Sequence, residues 1–308
     1  MPGSEKHTGA HTGTHTGRAA LFVIAASCCF GSISVLTTIA LRGGVPLVTV
    51  MFWRYALATI ALIPIVMRGF ARGAPRTFSW ALFIIGGVGQ TAVSFVSLRA
   101  LDYISVATLA FLFYTYPAWV AVISAVRGSE RITRGRAVAL ALSLVGIALM
   151  VGVPGAGHLH PLGVLLALAS ALMYAAYIPM IDYLGRDLPP AVTSTYASGG
   201  AALILVAAAL VEGGLGVRFT PLAWGAIGTM AVVSTVLAFI AFLRGLAVIG
   251  PVRTAIMSTI EPFWTALLGG LVLRQALGPR TLLGGVCIAA AVVLLQLGHG
   301  REAAPEPI

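Results

Sequence analysis

Two ionisable residues stand where an apolar chain should carry none. Glu261 and Arg54 each lie nine residues into a long apolar run, deep in its middle. In hydrocarbon a charged side chain at a helix centre costs about 2.5–3.5 kcal/mol even on mild insertion scales, so each needs a use. At about 1.5 Å per residue both would sit roughly 13 Å deep, near the midplane and reached from opposite faces. A carboxylate there can hold a proton or a cationic group. A guanidinium can grip an anionic group through a two-pronged fork. Arg54 also has a structural reading, as the partner of a helix C-terminus or of backbone carbonyls.

Polar and small residues recur beside these charges. Thr254, Ser258, Glu261, Thr265 and Gly269 follow at spacings of four, three, four and four, which puts them on one helix face. Pro262 removes a backbone donor and leaves the Ser258 carbonyl without its helical partner. Ser27, Gly31, Ser34 and Thr38 form a similar stripe, as do Gly86, Gln90, Ser94 and Ser97. A fourth holds Ser170, Tyr174, Tyr177 and Ile181. Such faces either enclose a wet cavity or let helices pack closely. Both readings stand for the first and third runs; the acid favours the cavity for the run holding Glu261. The residues expected to meet a solute or a coupling ion are Glu261, Arg54, Ser258, Thr265, Gln90, Ser94, Tyr174 and Tyr177. No metal site and no cofactor are expected. Cys28, Cys29 and Cys287 lie inside apolar runs with no zinc or disulfide spacing, and His7, His11 and His15 belong to a Gly- and Thr-rich tail.

The elements that must position these residues are membrane helices. Of 308 residues, 59% are hydrophobic and 9% charged, too little polar surface to face water on all sides. The lipid bilayer is the expected surroundings. Lys+Arg number 19 against 9 Asp+Glu, but the bases sit in short turns between apolar runs, so they report topology and lipid headgroups rather than a nucleic-acid partner.

Ten runs approach the ~20 residues that a helix needs to cross hydrocarbon. They are Ala19–Leu41, Val45–Met67, Phe78–Leu98, Tyr103–Val126, Arg136–Val151, Leu162–Leu184, Ala191–Val211, Pro221–Leu243, Val252–Leu273 and Arg280–Leu297. Short joints rich in Gly and Pro separate them, among them Arg42-Gly43-Gly44, Leu188-Pro189-Pro190 and Gly278-Pro279.

The chain also repeats itself. A shift of 145 positions lays Leu98 on Leu243, Arg99 on Arg244, Leu101 on Leu246, Pro117 on Pro262 and Trp119 on Trp264. Glu130 falls on Gln275. A shift of 143 lays Ser27 on Ser170 and Pro46 on Pro189. Five runs per copy is an odd number, so the second copy must enter the membrane upside down. Placing the N-terminus in the cytoplasm puts thirteen bases on the inner side and five on the outer, so both termini are expected inside and the Val153–Pro161 loop outside. The expected fold class is an all-α membrane protein, ten transmembrane helices arranged as two inverted five-helix repeats. Residues 1–18 form a disordered cytoplasmic tail, 19–152 the first repeat, 161–297 the second and 298–308 a short cytoplasmic tail.

Several motifs give this pattern a likeness. They are Trp53-Arg54, Ala100-Leu101-Asp102-Tyr103 with Pro117, Gly128-Ser129-Glu130, Glu261-Pro262-Phe263 and the last helix after Gly278. On these residues the chain resembles the EamA-like branch of the drug/metabolite transporter superfamily, over nearly everything from Ala19 to Leu297. Arg274-Gln275 departs from the Gly-Glu usual in the second half of such proteins. The resemblance implies a carrier of small molecules, in a superfamily whose substrates span amino acids, sugars, nucleotide-sugars, drugs and metabolites.

The expected function is secondary active transport at the plasma or inner membrane, moving a small metabolite outward by alternating access. A lone carboxylate and a lone arginine at the midplane would match an amino acid or a related amphiphile. A broad exporter of drugs or organic cations is the alternative, with Glu261 meeting the cation. Protons are the candidate coupling ion, since no nucleotide-binding P-loop occurs. An intramembrane lipid-modifying enzyme would need acids, histidines or a nucleophile with its base at one depth, and the histidines all lie outside the runs. A receptor or purely structural protein leaves the midplane charges without purpose.

Overall fold

The computed structural model describes residues 8–71, 79–100, 102–104, 106–129, 132–151, 160–211, 215–274 and 277–302. The chain order is α1 (Thr8–Arg42), α2 (Leu47–Ala71), α3 (Trp80–Ala100), α4 (Val106–Phe113), α5 (Tyr116–Val126) and α6 (Arg134–Val151). The second half holds α7 (Pro161–Gly185), α8 (Pro190–Val211), α9 (Pro221–Ala231), α10 (Ala238–Ile249), α11 (Pro251–Met257), α12 (Ile260–Leu273) and α13 (Pro279–Glu302). A π-helical turn, Val232–Leu237, joins α9 to α10 without a break. Five helices, α7, α8, α9, α11 and α13, open on proline, whose fixed φ and missing N–H suit the first helical position. Gly44 and Gly250 take φ values of 82° and 79° in the joints, a conformation in which a side chain would be strained.

Eight stretches are long and apolar enough to cross a membrane, with α4–α5, α9–α10 and α11–α12 each counted as one. Outside these eight, α6 and the shorter apolar helix α13 pack tightly on each other, Gly146 facing Gly284. Two expectations need correction. The tail expected over 1–18 is helical from Thr8, because adding turns to an existing apolar helix costs less than nucleating one, even through Gly and Thr. Likewise α13 continues to Glu302, past the expected end at Leu297. Glu130, Gln275, His7 and most of the Val153–Pro161 loop lie outside the described residues.

Packing reflects the duplication. α2 lies against α8 and α6 against α13, while α3 packs on α7 much as α1 packs on α10. Helices of one repeat thus lean mainly on helices of the other. Large apolar side chains such as Leu21, Phe95, Leu203 and Leu271 point outward, and the interior mixes many alanines, serines and glycines with valine, leucine and isoleucine. Lipid tails are as apolar as leucine, so inter-helix attraction comes from the close backbone approach that small residues permit. At the rim Arg99 meets Asp102 at 3.0 Å with both side chains more than half exposed, a pair that adds little stability.

The runs that carry Pro117 and Pro262 are each split, whereas Pro64 in α2 and Pro179 in α7 lie within unbroken helices. α4 stops at Phe113 and α5 starts at Tyr116; α11 stops at Met257 and α12 starts at Ile260. Pro117 and Pro262 lie just beyond the splits, at positions related by the 145-residue shift. A proline lacks the N–H and crowds the carbonyl four residues back, so the helix re-forms only after a tight turn. That turn rotates one half-helix against the other and divides the face that Thr254 and Ser258 were expected to share with Thr265.

Candidate functional site

Between the repeats lies a cavity of about 410 Å³. Its wall includes Arg54 and Tyr55 from α2, Gln90, Ser94 and Ser97 from α3, Tyr174 from α7, Thr235 from the π-turn and Glu261 from α12. Of the eight residues expected at the site, five line this space: Glu261, Arg54, Gln90, Ser94 and Tyr174.

Arg54 is 7% exposed. Its Nε donates to Thr235 Oγ1 at 2.7 Å, and Thr235 Oγ1 donates in turn to the Met230 carbonyl at 3.0 Å. The guanidinium carbon lies 4.8 Å from the Tyr55 ring centroid, a cation–π contact that adds to the clamp. The π-turn explains the reach of Thr235. One extra residue per turn pushes the chain out and lets Thr235 bond the carbonyl five residues back. Gln90 Nε2 donates to the Tyr55 hydroxyl at 2.9 Å. Gln90 and Thr235 are mates under the 145-residue shift, so one position in each repeat braces neighbouring residues of α2.

Glu261 occupies the first turn of α12, where a helix N-terminus presents unpaired N–H groups. Its own N–H donates to the Ser258 carbonyl at 3.0 Å, so the tight turn already satisfies the acceptor expected to be left open by Pro262. Among the described residues no ion pair joins Glu261 to Arg54. The two charges share one cavity and leave each other unpaired.

Three expected site residues lie elsewhere. Thr265 Oγ1 donates to the Gly31 carbonyl at 2.9 Å, stitching α12 to α1. Ser258 is 4% exposed and Tyr177 6% exposed, both off the cavity wall, and the Tyr177 ring packs where a side chain at Gly89 would stand. The stripes divide in the same way. In α1, Gly31 serves close packing against Glu261 and Thr265 of α12, while Phe30, Ile33 and Thr37 face the cavity instead. In α3 the stripe is mixed, Gly86 packing on Ala197 while Gln90, Ser94 and Ser97 reach the cavity.

Tyr55, Thr235, Ser198 and the aromatic wall of Phe30, Phe113 and Phe239 were not singled out from sequence. Two signals bear on the first two, the adjacency of Tyr55 to Arg54 and the alignment of Thr235 with Gln90 under the repeat shift. Arg253, the second residue of the expected run Val252–Leu273, is only 7% exposed near the start of α11. No cluster of three or more His, Cys, Asp or Glu side chains that could hold a metal occurs among the described residues.

Comparison with known proteins places this geometry. The EamA-like transporter family profile matches residues 17–152 and again 161–297. A protein of Archaeoglobus fulgidus described as an uncharacterized transporter is 28% identical over 247 residues, covering 80% of this chain and 85% of the relative. A riboflavin transporter of Brucella anthropi is 29% identical over 175 residues, covering 56% of this chain and 61% of that protein. A solved crystal structure superposes with a TM-score of 0.77 at 19% identity, over 93% of this chain and 99% of the other, which fixes the fold alone. These names are of transporters rather than enzymes. The chain belongs to the EamA-like transporter family of the drug/metabolite transporter superfamily, and is a multi-pass membrane transporter.

Proposed function

We propose that the protein carries a small amphiphilic metabolite bearing an amino and a carboxyl group, such as an amino acid, outward across the plasma membrane by alternating access. One observation carries this reading: a cavity of about 410 Å³ holds Arg54 and Glu261 unpaired on a largely aromatic and aliphatic wall. A guanidinium and a carboxylate on the wall of one cavity suit the two ends of a zwitterion, and the rest of the wall suits its side chain. Thr235 holds the guanidinium by Nε, which leaves the two terminal nitrogens for a carboxylate. Glu261 is the group at which a substrate ammonium and a proton would alternate, linking export to the proton gradient. Both termini lie in the cytoplasm on the strength of the arginine asymmetry.

A second reading rests on the aromatic lining. Phe30, Tyr55, Phe113, Tyr174 and Phe239 surround the same space as Glu261, an arrangement that would hold a flat organic cation. The partial match to a riboflavin transporter is in keeping with room for a ring system.

Flux into liposomes holding the purified protein, measured for a panel of zwitterionic amino acids, organic cations and monocarboxylates, separates the two. Transport of zwitterions, lost on removing either the amino or the carboxyl group from the substrate, supports the first reading. Preference for cations that lack a carboxylate replaces it by the second. No flux of any of them overturns both.

A further inference from the structure

We propose that Thr254 and Ser258 line a second half of the translocation path, shut in this structure and opening on the face that holds the N-terminus. This rests on the alternating-access reading above. The cavity extends one way only. From Glu261 its wall runs to Leu47 at the start of α2, Ser97 near the end of α3, and Leu109, Ala110 and Phe113 on α4, all toward the face opposite the N-terminus. On the other side of Glu261 the bundle is closed by a buried cluster that includes Ala19 of α1, Val120 of α5, Leu246 of α10, Ile256 of α11 and Ala291 of α13.

That closure is not wholly apolar. Thr254 is 0% and Ser258 4% exposed, and neither side-chain oxygen has a hydrogen-bond partner; nor do Ser124 Oγ and the Tyr177 hydroxyl on the helices beside them. The Tyr116 hydroxyl comes near Ser258 but is directed at the Ala255 carbonyl, 3.5 Å away, so Ser258 Oγ stays without a bond of proper geometry. Buried hydroxyls on a helix ordinarily bond back to a carbonyl one turn earlier. Ser27, Thr59 and Ser94 do so here. Orphaned hydroxyls carry a desolvation penalty that a permanent plug gains nothing by holding.

The duplication supplies the reason. A shift of 145 carries Leu109, Ala110 and Phe113, which line the open half, onto Thr254, Ala255 and Ser258. In an inverted repeat, an element that lines the path toward one face has a mate that lines it toward the other face in the alternate state. The hydroxyls unsatisfied here would then meet water and solute. The two mouths differ in chemistry. α4 offers leucine and phenylalanine to the far side, while α11 offers hydroxyls to the N-terminal side, where the polar end of an amphiphile would first bind.

Gly245 supplies the means of testing this. A Cβ there would meet the Ala19 carbonyl at 2.8 Å and the Val23 side chain, so Gly245→Ala wedges α10 from α1 and favours opening on the N-terminal face. In a background with Cys28, Cys29 and Cys287 replaced by alanine, Thr254→Cys, Ser97→Cys and Ile256→Cys are each made with and without Gly245→Ala. Membrane vesicles of both orientations are treated with an impermeant methanethiosulfonate reagent. Ser97→Cys should label from the far face. Thr254→Cys should label from the N-terminal face, several-fold faster with Gly245→Ala, as labelling of Ser97→Cys slows. Ser258→Cys replaces Thr254→Cys if the latter fails to insert. Labelling at Ser97→Cys with silence at Thr254→Cys in both backgrounds overturns this inference and leaves the cavity standing. Silence at both positions overturns the transport reading as well. Equal labelling of Ile256→Cys, on the opposite flank of α11 and 0% exposed, means the helix has merely loosened, and also overturns it.

Discussion

Arg54 is clamped through one nitrogen and presents the others, and the difference between arginine and lysine tests what they are for. A lysine keeps the charge but loses the Nε bond to Thr235 and the planar fork. With the substrate carboxylate bound by two charge-assisted hydrogen bonds, Arg54→Lys is expected to lower its flux about tenfold or more while insertion is unchanged. Equal flux in liposomes would return Arg54 to a structural role. Glu261→Gln keeps shape and fixes the group as neutral, so net transport in the variant should lose the pH dependence seen in wild type. Coincident pH profiles would make Glu261 a silent acid. Both charges were legible in the sequence because hydrocarbon makes any mid-helix charge conspicuous. Their partners were not. Tyr55 and Thr235 look like ordinary residues of an apolar helix until the neighbouring helix is in place. Thr265 misled for the same reason, since its hydroxyl is spent on the Gly31 carbonyl.

At the level of helices, proline marked the breaks and also obscured what they do. Pro117 and Pro262 showed where the runs would yield. A straight helix was nonetheless assumed when Thr254, Ser258, Glu261 and Thr265 were assigned one face. The turn after Met257 separates them, placing Glu261 on the cavity and Thr254 and Ser258 in the closed core. The π-turn over Val232–Leu237 had no signal of its own, because no proline or glycine interrupts that stretch. Two predictions belong at this scale. Pro262→Ala restores a backbone donor and should let α11 run on into α12, turning Glu261 from the cavity; flux should fall while thermal stability in detergent holds or rises. Undiminished flux would show that the break is incidental. Gly146→Val places a side chain against the Gly284 carbonyl, 2.7 Å from an added Cβ. It should force α6 from α13 and destabilise the protein by about 1–3 kcal/mol, as overpacking does elsewhere, read as a lower melting temperature. An unchanged melting temperature would mean that this contact bears little of the stability.

For the molecule as a whole, the odd number of runs per repeat and the arginine asymmetry both followed from the sequence, and together they imply one orientation. Thirteen bases would lie on the N-terminal side against five on the other, a bias that retains positive loops in the cytoplasm. One of those bases, Arg253, is buried at the head of α11 rather than exposed in a loop. Setting it aside leaves twelve against five, so the asymmetry stands. The exposed positions Arg127, after α5, and His160, before α7, then face opposite sides of the membrane. In the cysteine-free background, His160→Cys should react with an impermeant thiol reagent added to intact cells, and Arg127→Cys only once the membrane is opened. The reverse pattern would place the cavity's open end toward the cytoplasm and turn the proposed exporter into an importer. Reaction of both in intact cells would do more damage, since an odd number of crossings between α5 and α7 is what makes the second repeat the inverse of the first.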